Sequence, residues 1–164
     1  MKNLTTFSKV NLFGAILSFI MIGAALLIQL IYQLEPCPLC ITQRIIFIII
    51  SLTFVSFLFF KHNSLTRIIH LLMLGTGSIA GVIFSVRHIM IQEKWIAIPA
   101  ECGIDLEYMF QNFPLSQAMN LLFKGSGDCS SIDWNFIGIT LPQLALMGYL
   151  LFLITAIITF LKVK

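Results

Sequence analysis

The sequence predicts an all-α membrane protein, a four-helix transmembrane bundle with a long extracytoplasmic loop between spans three and four. Three observations carry this. Of the 164 residues, 59% are hydrophobic and only 10% charged, whereas a soluble domain carries roughly 25% charged residues. Four stretches without an acidic residue, about 10–34, 40–60, 68–86 and 141–161, approach or exceed the roughly 20 residues that cross a bilayer as a helix. The Lys and Arg residues gather where such a bundle would meet the cytoplasm, because positive residues in short loops are retained on that side.

The first stretch follows Lys2 and Lys9, but its apolar run is far longer than a signal-peptide core and lacks a small-x-small cleavage site, so it reads as an uncleaved span. Residues 1–9, 61–67 and 162–164 together hold six of the ten Lys and Arg residues and no Asp or Glu. Both termini are therefore expected in the cytoplasm. All seven acidic residues lie at Glu35 or between Glu93 and Asp133, which agrees with an outer turn near Glu35 and an outer, periplasmic loop over about 87–140. The net charge of +3 comes from these topology signals and implies no nucleic-acid partner.

The short connection at 61–67 makes spans two and three antiparallel neighbours. In span three, Gly77 and Gly81 have the G-x-x-x-G spacing that lets helix backbones approach closely in lipid. Within the outer loop, Leu106, Met109, Phe110 and Phe113, then Ala118, Leu121 and Leu122, recur at helical spacing. These pieces are expected to lie in the membrane interface or on the outer end of the bundle.

All four cysteines fall at or beyond the outer face, in a compartment where disulfides persist. Cys37-Pro38-Leu39-Cys40 joins spans one and two, with prolines that end one helix and suit the start of the next. Cys40 is expected in the first turn of span two, where unpaired backbone N–H groups favour a thiolate. Arg44 follows on the same helix face. It is either a functional cation or a side chain that snorkels to the headgroups.

Cys102 and Cys129 are separated by 26 residues. As a structural staple, that ring would restrict the unfolded chain by about 3 kcal/mol. A staple does not explain the C-x-x-C, whose tight ring is typical of redox-active thiols, and two pairs on one face suggest a relay by thiol–disulfide exchange. A zinc site usually draws on two closely spaced pairs; the second pair here is spread out, so no metal is expected. His88, at the outer end of span three, is a candidate proton donor to a carbonyl acceptor, and Gln92 lies one turn beyond it if the helix continues.

These residues resemble the disulfide bond formation protein B family, the quinone-coupled thiol oxidases of the bacterial inner membrane. The likeness rests on Pro36, Cys37, Cys40 and Arg44, on His88 and Cys102, and on Ser126-Gly127-Asp128-Cys129 followed by Trp134, Phe136, Gly138, Pro142 and Gln143. Gln43 stands where some members carry an acidic residue, and Leu144 where an aromatic can occur. The resemblance implies that Cys102 and Cys129 oxidise a DsbA-like periplasmic thioredoxin-fold protein. Cys37 and Cys40 then reoxidise that pair, and Cys40 passes electrons to a membrane quinone, ubiquinone or menaquinone. It further implies a quinone site built from Cys40, Arg44, His88 and Gln92, near the outer boundary between spans one, two and three. A vitamin K epoxide reductase-like protein is the nearest alternative, but there the C-x-x-C follows the loop pair in sequence, and here it precedes it.

Overall fold

The computed structural model describes residues 2–59, 63–96, 114, 116, 123, 125, 127–132, 134–136 and 138–163. Cys102, the amphipathic pieces at 106–113 and 118–122, and most of the loop that carries them lie outside the described residues. Four long helices form the architecture: α1 (Lys2–Tyr32), α2 (Pro38–Phe59), α3 (Ser64–Gln92) and α4 (Leu141–Val163). All four are long and apolar enough to cross a membrane.

Local chemistry sets each boundary at the cysteine end. Helix α1 stops because Gln33 adopts a left-handed conformation (φ 51°), which lets the Leu34 N–H donate back to the Gln29 carbonyl at 3.1 Å, and Pro36 follows. Helix α2 opens at Pro38, whose missing N–H costs nothing in a first turn. Helix α3 runs through Gln92, six residues past the expected end near Val86. It closes where Lys94 turns left-handed (φ 60°), with the Trp95 N–H donating to the Met90 carbonyl at 2.9 Å and that of Lys94 to Ile91 at 3.0 Å. The added turns carry Arg87, His88 and Gln92, so hydropathy fades there while helical geometry continues.

Before α4 lie a short 3₁₀ turn, Gly127–Ser130, and a two-residue antiparallel ribbon of β1 (Asn135–Phe136) and β2 (Ile139–Thr140). Gly138 at φ 84° allows the tight reversal, and its N–H donates to Asn135 Oδ1 at 2.7 Å. Thr140 then precedes α4, and Gln143 Oε1 accepts from the Thr140 N–H at 2.9 Å, the reach-back half of a capping box.

The helices pack through aromatic rings set against glycines. Phe47, Ile50, Phe54, Leu74, Tyr149 and Phe152 are buried together between α2, α3 and α4, with Ala15 of α1 against them. Phe47 stacks on Tyr149 at 4.2 Å between centroids, and the Tyr149 hydroxyl donates to the Gln43 backbone carbonyl at 2.6 Å. Gly81 makes this possible, since a Cβ there would lie 2.3 Å from the Tyr149 ring. Gly77 faces Ile50, and the expected packing role of the pair holds. Outward, Phe13, Phe19, Leu72, Ile83 and Phe160 are exposed, as lipid-facing side chains are. Gly81→Val is expected to destabilise the bundle by about 1–3 kcal/mol through overpacking. Gly75→Ala, with open space around it among the described residues, should leave the thermal unfolding midpoint in detergent nearly unchanged.

Candidate functional site

The site forms where the α1–α2 turn, the last turns of α3 and the 3₁₀ turn converge. Cys37 caps α2: its sulfur accepts the Cys40 backbone N–H at 3.4 Å, and its carbonyl takes the Ile41 N–H at 3.2 Å. One free donor at this helix start, the Cys40 N–H, thus points to the sulfur of Cys37. The two sulfurs lie 3.1 Å apart as thiols.

Cys129, carried by the 3₁₀ turn, is fully buried against Cys37, Leu39 and Ile91. Gly125 lets this segment descend, because a Cβ there would meet Leu39 at 2.8 Å and its φ of 82° suits glycine. Gln92 Nε2 donates to the Ser131 carbonyl at 3.4 Å and ties the segment to α3. His88 is 1% exposed and brings Nε2 to 3.6 Å from Cys37 Sγ. The ligand-capable atoms of Cys37, His88 and Cys129 all lie within 4.8 Å of one another.

Electrostatics separates the sulfurs. Hydrogen bonding with Cys129 and Cys40, together with burial, holds the Cys37 thiol well above the ordinary range, so Cys37 is held protonated. Cys40 is half-exposed, whereas Cys37 and Cys129 are buried. In the reduced protein, iodoacetamide should therefore modify Cys40 before Cys37 or Cys129, as peptide mass spectrometry over time would show; earlier labelling of Cys37 would contradict this geometry.

Two clefts meet at Cys40 and Arg44. The first has a mixed lining and touches Gln29, Glu35, Cys37, His88, Gln92 and Trp134. The second runs between α1, α2 and α4, where Met21, Ala25, Phe47, Leu144 and Ala145 supply apolar walls and Gln43 a buried amide. Arg44 donates through Nη1 to Gln29 Oε1 of α1, so the half-buried cation is tied to the neighbouring helix. Sequence reasoning did not find Gln29, and it met Trp134 and Leu144 only through the family resemblance, without assigning them to a site. Gln29 is one polar residue in an apolar helix, which was the only available signal.

Comparison with known proteins places nearly the whole sequence beside a family. The sequence model of the family described as disulfide bond formation protein DsbB matches residues 8–159. Disulfide bond formation protein B of Methylobacillus flagellatus is 40% identical over 136 residues, covering 83% of this chain and 82% of that protein. The protein of the same name from Methylococcus capsulatus is 36% identical over 140 residues, 85% of each chain. That from Psychrobacter cryohalolentis is 33% identical over 161 residues, 94% of this chain and 89% of the relative.

Proposed function

Because the chain belongs to the DsbB family, multi-pass membrane oxidoreductases that form disulfide bonds, we propose that it reoxidises a DsbA-like periplasmic protein of thioredoxin fold and delivers the electrons to a membrane quinone. The protein then sits in the bacterial inner membrane with both termini in the cytoplasm and the cysteines on the periplasmic side. The observation that carries the relay is the approach of Cys37 and Cys129 to within 4.8 Å, sulfurs 92 positions apart in the chain, beside a cleft that exposes Cys40.

The exchange balances step by step. The partner's dithiol attacks the Cys102–Cys129 disulfide at Cys102, and the partner leaves as a disulfide with two electrons and two protons left on the loop pair. The Cys129 thiolate attacks Cys37 of a Cys37–Cys40 disulfide, so a Cys37–Cys129 bond forms and Cys40 departs as a thiolate. Attack of Cys102 on Cys129 restores the loop disulfide and leaves Cys37 reduced. His88 Nε2, 3.6 Å from Cys37 Sγ, is placed to hold the proton that Cys37 takes up and later gives away. That assigns His88 to the sulfur more directly than to a carbonyl acceptor. Gln92 orients the Cys129 segment through Ser131.

The residues present suit a quinone. The apolar cleft opens between α1, α2 and α4 and has its polar groups, Cys40, Gln43 and Arg44, at one end. A bound quinone, ubiquinone or menaquinone, would supply the two-electron acceptor that an oxidising partner requires, since about 30 mV shifts a two-electron equilibrium tenfold. Cys40 and Arg44 would line its head: the thiolate is the electron source, and the guanidinium stabilises negative charge developing on a carbonyl oxygen. Purified protein given excess reduced thioredoxin-fold partner should oxidise it continuously only with added quinone, one quinol forming per partner disulfide. Partner oxidation without quinol formation would overturn the reading.

A further inference from the structure

The donor set at the site has a second chemistry. Cys37, Cys129 and His88 are all buried and present two sulfurs and one imidazole nitrogen within 4.8 Å, and Cys40 adds a third sulfur 3.1 Å from Cys37. Tetrahedral zinc with Zn–S near 2.3 Å and Zn–N near 2.05 Å sets its sulfur and nitrogen ligands about 3.6 Å apart and two sulfurs about 3.8 Å apart. The Cys37 to His88 separation of 3.6 Å already has that value. Cys40 Sγ stands outside the group of three, so to join it the half-exposed Cys40 side chain has to turn toward Cys129 and His88 while opening its distance to Cys37 by about 0.7 Å, and the adjoining cleft gives it room to turn.

We propose that the reduced protein binds one thiophilic divalent cation, Zn²⁺, through Cys37 Sγ, Cys129 Sγ and His88 Nε2, with Cys40 as the fourth ligand. Linear spacing argued against zinc because only one closely spaced pair is present; the second half of the site comes instead from the extended end of α3 and from the 3₁₀ turn. Charge supports burial. Two thiolates and a neutral imidazole cancel the cation's charge, which removes most of the penalty for placing an ion in an apolar setting. A third thiolate adds one negative charge beside the Arg44 guanidinium, which borders the same cleft. Each cysteine gives its proton to solvent as it binds, the imidazole donates a lone pair, and no electron is transferred.

The site exists only when the sulfurs are reduced, since a disulfide offers no thiolate. Occupancy thus holds the same sulfurs out of exchange and makes the metal a redox-gated brake. The binding test needs neither quinone nor partner, so it can fail while the relay stands, and the reverse. The full chain in detergent, reduced with a phosphine and desalted, is titrated with Co²⁺ and then Zn²⁺. The expected result is one equivalent of Co²⁺ with the intense visible absorption of a tetrahedral site and a sulfur-to-metal charge-transfer band, both displaced by Zn²⁺. The oxidised protein should show neither band. Cys129→Ser and His88→Gln should each weaken binding at least about tenfold, with far-ultraviolet circular dichroism unchanged. A weak octahedral spectrum, equal binding by oxidised protein, or bands undiminished in Cys129→Ser would overturn the site. The comparison of oxidised with reduced wild-type protein decides the matter even if a variant folds poorly.

Discussion

Cys40→Ser is expected to reduce steady-state quinone reduction to background while leaving one oxidation of the partner per enzyme. Cys40 is the half-exposed sulfur of the reduced pair and borders the apolar cleft, whereas Cys37 and Cys129 are buried behind it. A serine oxygen cannot hold a disulfide with Cys37 or release an electron pair to an acceptor, so the membrane-proximal pair no longer cycles. Under the proposed relay a preformed Cys102–Cys129 disulfide would stay chemically intact and could be spent once. Mixing the variant with excess reduced partner and a soluble quinone analogue should give a burst of one partner disulfide per enzyme, followed by no quinol. Sustained quinol formation near the wild-type rate would remove Cys40 from the path. Cys37→Ser should also block turnover, but with Cys40 still able to react with iodoacetamide, which separates the two cysteines.

The four spans were readable because the bilayer imposes a length and a composition that short windows of sequence record directly. The limits of α3 were not, since Arg87, His88 and Gln92 end the hydropathy signal before the helix ends. That extra length is what carries His88 to Cys37, 51 positions away in sequence. The descent of Cys129 onto the same point depends on Gly125 at a left-handed φ and on the Gln92 to Ser131 bond, neither of which leaves a periodic trace. The capping of α2 by the Cys37 sulfur was also hidden, because Cys is an unusual cap and the C-x-x-C drew attention to Cys40 as the residue inside the helix. The ribbon before α4 had a signal in Asn135 and Gly138, the residues of its turn, and the Thr140 to Gln143 spacing that opens α4 is a readable capping pattern.

Arg44→Met is expected to lower quinone use by about a hundredfold to a thousandfold, the range for removing one preorganised donor from a developing oxyanion. Two losses are combined in that variant. The charge that faces the cleft disappears, and so does the bond from Arg44 to Gln29 that ties α2 to α1. Gln29→Leu separates them, because it removes the tether and keeps the cation. If charge is what matters, Gln29→Leu should retain most of the quinone reduction rate, with at most a modest rise in the quinone KM from a less restrained guanidinium. Arg44→Lys should recover only part of the loss, since a lysine ammonium keeps the charge without the planar fork that can serve Gln29 and an acceptor oxygen together. The partner-facing half reaction, followed as a single oxidation by preformed Cys102–Cys129 disulfide, should proceed at the wild-type rate in all three variants, because it involves no group of the cleft. A quinone rate in Arg44→Met equal to wild type, with Gln29→Leu impaired, would show that Arg44 serves only to fasten two helices.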